Sequence, residues 1–328
     1  MSRITSRFPF RRAALAVGVV AVTSVVLAGC AGVATPSADP AASEPPRVGI
    51  VLGGGGEVGI AWQLGVLDAL QNEAGLDRED VEVVVGTSAG SFSGAYYTLR
   101  FDLDELVEQE RRGEGASAPV AGGEKGLASI SPELMAALSS TEGTLEERGQ
   151  RIGELAKQAR LPITSDDYVE YVSTMLPGPD WPELDFRVTS VNAETGETVL
   201  WDAEDGVPLA AALASSSAVP GFLPVVEIDG GFYTDAPRTS FSKPLVDDVD
   251  LDAIIYIGMP TPNLSNTIEE TALDELQADG LEVVRIVGSE EANQVAANAL
   301  DPAMRPVAVD LGIEDGQDAA AAVRQLLR

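Results

Sequence analysis

Val81-Glu82-Val83-Val84-Val85-Gly86-Thr87-Ser88-Ala89-Gly90 decides how this chain is read. The valine-rich half is a short apolar run of the kind that lies inside a parallel sheet, buried on both faces. Gly86-Thr87-Ser88-Ala89-Gly90 fits G-x-S-x-G, and a helical pattern continues from Ala89 to about Leu99. Strand, tight turn and helix in succession are the context this motif requires. The flanking positions must be small for the turn to close, and the serine hydroxyl is thrust out at the helix N-terminus. There the helix dipole and free N–H groups favour developing negative charge. Ser88 is the candidate nucleophile. Ser215-Ser216-Ser217 ends a predicted helix and reads instead as capping or packing.

Upstream, Val48-Gly49-Ile50-Val51-Leu52 is a second apolar strand, followed at once by Gly53 to Gly56, by Gly59 and by a helical pattern through Leu70. Gly54-x-Gly56-x-x-Gly59 also satisfies the dinucleotide-binding fingerprint. That fingerprint needs an acidic residue at the end of the next strand, and Asp77, Glu79 and Asp80 all precede the strand. The place is taken by the elbow serine. A glycine turn at a helix start can alternatively offer backbone N–H groups to a tetrahedral oxyanion. With the elbow on the neighbouring strand-turn-helix unit, both helix starts converge on one edge of the sheet, which favours this second use.

Downstream, alternation predicts strands over 186–191 and 198–201, a helix over 208–216 and a hairpin over 224–235 around Asp229-Gly230. Further strands are predicted over 253–258 and 281–287, with closing helices near 290–300 and 316–327. Residues 102–175 are polar and helical in short pieces. Ser131-Pro132 suits a helix start, and Thr144-Leu145-Glu146-Glu147 has capping-box spacing. This insertion either covers a site or is plain surface packing. Strands alternating with helices make the class α/β, with helices on both faces of the sheet.

Composition removes other chemistries. A net charge of −31 repels phosphate backbones, so nucleic acid is not an expected partner. With 45% hydrophobic residues the chain has enough apolar surface for a large core. There is no histidine, so no Ser-His-Asp triad and no imidazole-bound zinc. Cys30 is the single cysteine, so no disulfide within the chain and no thiolate metal cluster forms. Neither a metal nor an organic cofactor is expected. A general base must come from Asp or Glu, from Lys125, Lys157 or Lys243, or from tyrosine. A carboxylate can take the serine proton directly in a partly dry pocket that raises its pKa.

The N-terminus reads as an address. Arg3, Arg7, Arg11 and Arg12 precede an apolar and small-residue run over 13–27, then Leu27-Ala28-Gly29-Cys30. The run is too short for a comfortable membrane span and fits an export signal. Cysteine after Leu-Ala-Gly resembles the lipobox of bacterial lipoproteins. This implies a signal peptide over 1–29, lipid on Cys30 and location on the extracytoplasmic face of a bacterial membrane. Residues 30–46, rich in Ala, Pro and Ser, read as a flexible tether, and the folded domain is expected over 47–328.

Taken together, Gly53 to Gly59, Gly86 to Gly90 and the stretch from Ala214-Ser215-Ser216-Ser217-Ala218-Val219-Pro220-Gly221 to Asp235 resemble patatin-like phospholipases. The resemblance implies a three-layer α/β/α fold with a mainly parallel central sheet and a helical insertion. It also implies hydrolysis of acyl-ester lipids by a Ser-Asp dyad: Ser88 as nucleophile, Asp235 as base, and Gly54, Gly55 and Gly56 as the oxyanion loop. Two positions depart from the family. Val58 stands where Arg or Lys is common, and Asp235-Ala236-Pro237 replaces Asp-Gly-Gly or Asp-Gly-Ala. Asp229-Gly230-Gly231 matches that last motif literally, but Asp-Gly between two apolar runs is a hairpin turn. Two rival readings remain: a nucleotide-binding oxidoreductase using the glycine loop, and an inactive lipid-binding lipoprotein.

Overall fold

The computed structural model describes residues 45–115, 130–235, 240–259 and 264–328. The expected signal peptide, Cys30, the tether up to residue 44, Lys125 and Ala236-Pro237 lie outside the described residues.

Apolar runs become the centre of one sheet. Strands β1 (Val48–Leu52), β2 (Val81–Gly86) and β3 (Asp185–Asn192) pair in parallel on one side of β1. β4 (Thr198–Trp201), β5 (Val226–Ile228) and β6 (Gly231–Thr234) are antiparallel additions beside β3. β7 (Ala253–Gly258) and β8 (Glu282–Val287) extend the other side of β1 in parallel. Among the described residues the sheet has eight strands, in the order β5-β6-β3-β2-β1-β7-β8 with β4 on β3. The chain thus moves one way from β1 through β3, then crosses to the other side of β1. Ligands of open α/β sheets bind at the carboxyl ends of strands where the order reverses. The glycine loop and Ser88 follow β1 and β2 at those ends.

The helices are α1 (Gly56–Ala69), α2 (Ala89–Thr98), α3 (Leu103–Arg111), α4 (Pro132–Ser139), α5 (Leu145–Lys157), α6 (Ser165–Ser173), α7 (Leu209–Ser216), α8 (Ser242–Asp248), α9 (Leu264–Ala278), α10 (Glu290–Ala296) and α11 (Arg305–Leu326). Successive strand side chains point to opposite faces, and the core divides accordingly. Ile50, Leu52, Val84, Ile255 and Ile257 pack on one face with α1, α2, α7 and α11. Val51, Val83, Val85, Ile254 and Tyr256 pack on the other with Leu245 of α8 and Leu273 and Leu276 of α9. Helix, sheet and helix make three layers.

The insertion starts its helices as its sequence predicts. Ser131 Oγ accepts the Leu134 N–H at 3.1 Å, and Thr144 and Glu147 form a capping box at 3.2 and 2.8 Å. The last helix differs from expectation: α11 begins at Arg305, not near 316, and α10 ends at Ala296, not near 300. Gly312 and Gly316 have low helix propensity, yet both lie inside α11. A Cβ on Gly312 would strike the Trp62 carbonyl, and one on Gly65 would strike the Val309 carbonyl. Glycine here lets two buried backbones approach, and that packing outweighs its low helix propensity.

Candidate active site

The elbow is locked from several sides. Ser88 has φ 52 and ψ −116, a left-handed conformation that costs a non-glycine residue roughly 1–3 kcal/mol. The surroundings impose it. Thr87 N–H donates to the Leu52 carbonyl at 3.0 Å, and Ser91 Oγ donates to the Ser88 carbonyl at 2.7 Å. Gly90 lies so close to β1 that a Cβ would collide with the Leu52 carbonyl. Ser88 N–H donates to Ser216 Oγ at 2.9 Å. Ser88 is only 7% exposed, so its hydroxyl belongs to the floor of a pocket. A hydroxyl thrust out to the surface, as a bare strand-turn-helix implies, is corrected by α6 and the segment after α7, which wall it in.

The glycine loop is held against this serine. Gly53 N–H donates to the Ile257 carbonyl at 3.0 Å, while its own carbonyl accepts from Gln63 Nε2 at 2.7 Å. Gln63 Oε1 accepts from Ser93 Oγ at 2.5 Å, tying α1 to α2 inside the core. A Cβ on Gly54 would lie 3.6 Å from Ser88 Cβ, so the loop and the elbow touch. Val58 N–H donates to the Ala299 carbonyl at 3.1 Å. Gly56, Glu57 and Ser88 line one pocket. Val58 is fully buried in the core and faces no solvent.

Asp235 directly follows β6, the returning strand of the β5–β6 hairpin, and is 8% exposed. Its N–H donates to the Ala218 carbonyl at 3.2 Å, and Thr234 Oγ1 donates to the same carbonyl at 2.6 Å. The short segment Ser216-Ser217-Ala218 therefore straps the elbow to β6: Ser216 takes the Ser88 amide and Ala218 takes Asp235. Ser217 Oγ shares a 2.7 Å hydrogen bond with the Tyr168 hydroxyl. Burial raises the Tyr168 phenol well above its ordinary value; the Ser217 hydrogen bond opposes this and the neighbouring Asp235 charge adds to it. Tyr168 thus remains a neutral hydroxyl in the lining of the Ser88 pocket.

Two expectations change here. Ser215-Ser216-Ser217 does more than cap or pack, because each hydroxyl joins a buried pair: Ser215 with Ser190 at 2.6 Å, Ser216 with the elbow, Ser217 with Tyr168. The signal was present as three hydroxyls at the end of an otherwise apolar helix, where each must find a partner. Gln63, Ser93 and Tyr168 gave no such signal, since their partners lie on other elements. The insertion contributes walls: Tyr168 of α6 lines the Ser88 pocket, and Leu138, Leu145, Gly149 and Ile152 line a neighbouring cavity reached by Asp235. Asp229 lies at the exposed hairpin tip with φ 50. Among the described residues, no group of three His, Cys, Asp or Glu is placed to hold a metal ion.

An open α/β sheet with a glycine loop and a serine elbow at its carboxyl edge defines the class. The profile of the patatin-like phospholipases matches residues 50–241, more than half of the chain, and the chain belongs to that family. Among curated proteins it is similar to the lysophospholipase NTE1 of Chaetomium globosum, 44% identical over 71 residues, covering 22% of this chain and 4% of that protein. The lysophospholipase nte1 of Aspergillus niger is 46% identical over 68 residues, 21% of this chain and 4% of that protein. The chain therefore spans a small fraction of the length of these relatives. Among solved structures, VipD from Legionella pneumophila aligns with TM-score 0.44 at 15% identity, covering 85% of this chain and 67% of that one. Human GIVD cytosolic phospholipase A2 aligns with TM-score 0.44 at 15% identity, covering 86% and 59%.

Proposed function

We propose that this chain hydrolyses the carboxylic esters of lipids through an acyl-serine intermediate. Ser88 Oγ attacks the ester carbonyl carbon while Asp235 takes its proton. The carbonyl oxygen becomes an oxyanion facing the N–H groups of Gly54, Gly55 and Gly56. Collapse of the tetrahedral species expels the alcohol, which leaves with the proton held by Asp235. Water then attacks the acyl-serine, Asp235 again takes the proton, and the fatty acid departs as Ser88 is restored.

One observation carries the reading: Ser88 is fixed at φ 52 on the floor of a pocket, with Gly54 packed against it. Such strain persists only where the surroundings over-determine it, and it collects at functional sites. The pocket supports a lipid substrate, because Ile60, Phe92, Val219, Phe222, Leu223 and Leu300 offer an apolar lining for an acyl chain. Family membership and the lysophospholipase relatives point the same way. The dinucleotide reading loses support because the elbow serine occupies the place of the ribose-binding acid. Ser88→Ala is expected to abolish hydrolysis of a nitrophenyl ester while leaving thermal unfolding close to that of the unsubstituted protein. Retained turnover in this variant would end the proposal.

The extracytoplasmic location belongs to the same proposal. The arginines at 3, 7, 11 and 12, the apolar run and Leu27-Ala28-Gly29-Cys30 support lipid attachment at Cys30. A lipoprotein's two ester-linked chains suffice for stable anchoring where one chain binds marginally. Mass spectrometry of the membrane-bound protein should find a diacylglyceryl-modified Cys30, and Cys30→Ala should release the protein from the membrane. An unmodified Cys30 in the membrane fraction contradicts this.

A further inference from the structure

Arg305 opens α11 and is 2% exposed. Its Nη1 donates to Glu57, while Nη2 and Nε donate to the two carboxylate oxygens of Glu110 at 2.5 and 2.6 Å, a bidentate fork. Glu57 and Glu110 are 5% and 3% exposed, so all three charges are withdrawn from water. Burial works against the guanidinium's charge, but its bonds to Glu110 and the charges of both glutamates outweigh this and raise its pKa. The residues just before Arg305 reach the same place: Ala299 accepts the Val58 N–H, and Leu300 lines the pocket. None of them falls within the 50–241 region that the family profile matches.

Glu57 lies in the first turn of α1, beside Gly56, and lines the pocket that holds Ser88. A carboxylate there opposes the chemistry, because an oxyanion forming beside Ser88 would meet a like charge with little water to screen it. We infer that Arg305 is a positioning residue for the reaction: through Glu57 it fixes the first turn after the glycine loop and cancels the charge that would repel the oxyanion. The inference rests on the acyl-serine reading above. A neutral ester in the ground state is barely affected by that charge, whereas the transition state is, so the effect falls on kcat and not on KM.

The experiment compares kcat and KM for a nitrophenyl ester in the full chain and in Arg305→Met, Arg305→Met/Glu57→Gln and Ser88→Ala. Rates of the chain and of the Arg305 variants are expressed per active site titrated with a fluorophosphonate, which removes misfolded protein from the comparison, and the rate of Ser88→Ala is expressed per folded protein. Arg305→Met should lower kcat by about tenfold or more with KM within about threefold, and adding Glu57→Gln should recover most of the loss. Wild-type kcat in Arg305→Met overturns the inference. So does a loss that Glu57→Gln fails to recover, because Arg305 then acts by packing alone. If Arg305→Met does not fold, Arg305→Lys and Arg305→Lys/Glu57→Gln carry the same comparison, with an expected loss of about threefold and the same overturning results. Ser88→Ala separates the two ideas. Turnover in that variant overturns the acyl-serine reading, whereas an inactive Ser88→Ala beside wild-type kcat in Arg305→Met overturns only the role of Arg305.

Discussion

Asp229 and Asp235 share one hairpin and carry the same functional group, but only Asp235 is buried. Asp229 tolerates φ 50 at the exposed turn, the work that short polar side chains do in such positions. Asp235 is drawn inward because β6 ends against the Ala218 carbonyl, in the segment that also holds the Ser88 amide. Asp235→Asn is therefore expected to lower ester turnover by about a hundredfold or more, the scale of lost general-base catalysis. Asp229→Asn should change it by less than about threefold, since the side chain lies away from the pocket. Rates in the opposite order would move the base to Asp229. At this scale the sequence is partly legible. G-x-S-x-G placed Ser88 at a strand-turn-helix elbow, and Asp-Gly between apolar runs marked Asp229 as an exposed turn residue. The roles of Ser216 and Tyr168 were not legible, because a hydroxyl's partner depends on elements far away in the chain.

Between elements, the contact of α1 with α11 explains the main misreading of the fold. Every residue of α1 from Glu57 to Ala69 is buried, so it has no polar face from which periodicity could fix its orientation. Its partner carries Gly312 and Gly316 where the two backbones meet. Isolated glycines inside a helical pattern lower helix propensity by about 1 kcal/mol each, which is why the sequence favours a late start for α11. Tertiary contact overrides that local preference. Gly312→Leu should thus destabilise the protein by about 2 kcal/mol or more, because the added side chain would have to push α11 off the Trp62 carbonyl. Urea unfolding measures it. An unchanged midpoint would show that the helices are not packed as described.

On the scale of the molecule, strand runs and turns indicated an α/β sheet, and their order placed the glycine loop and the elbow at one edge. The positions of Ala299, Leu300 and Arg305 could not be read in the same way. They meet the glycine loop across most of the chain's length, and no local pattern encodes that approach. The candidate site draws on both ends of the domain: the turns before α1 and α2 carry the glycine loop and Ser88, Asp235 follows the β5–β6 hairpin, and Arg305 at the start of α11 holds Glu57. The central claim is that this assembly activates one serine. Its most direct test is to label the full chain with a fluorophosphonate probe and map the modified peptide. The label should fall on Ser88, be absent from Ser88→Ala, form slowly in Asp235→Asn and form at the unsubstituted rate in Asp229→Asn. A label on another serine, or ester hydrolysis without any labelled serine, would contradict the account.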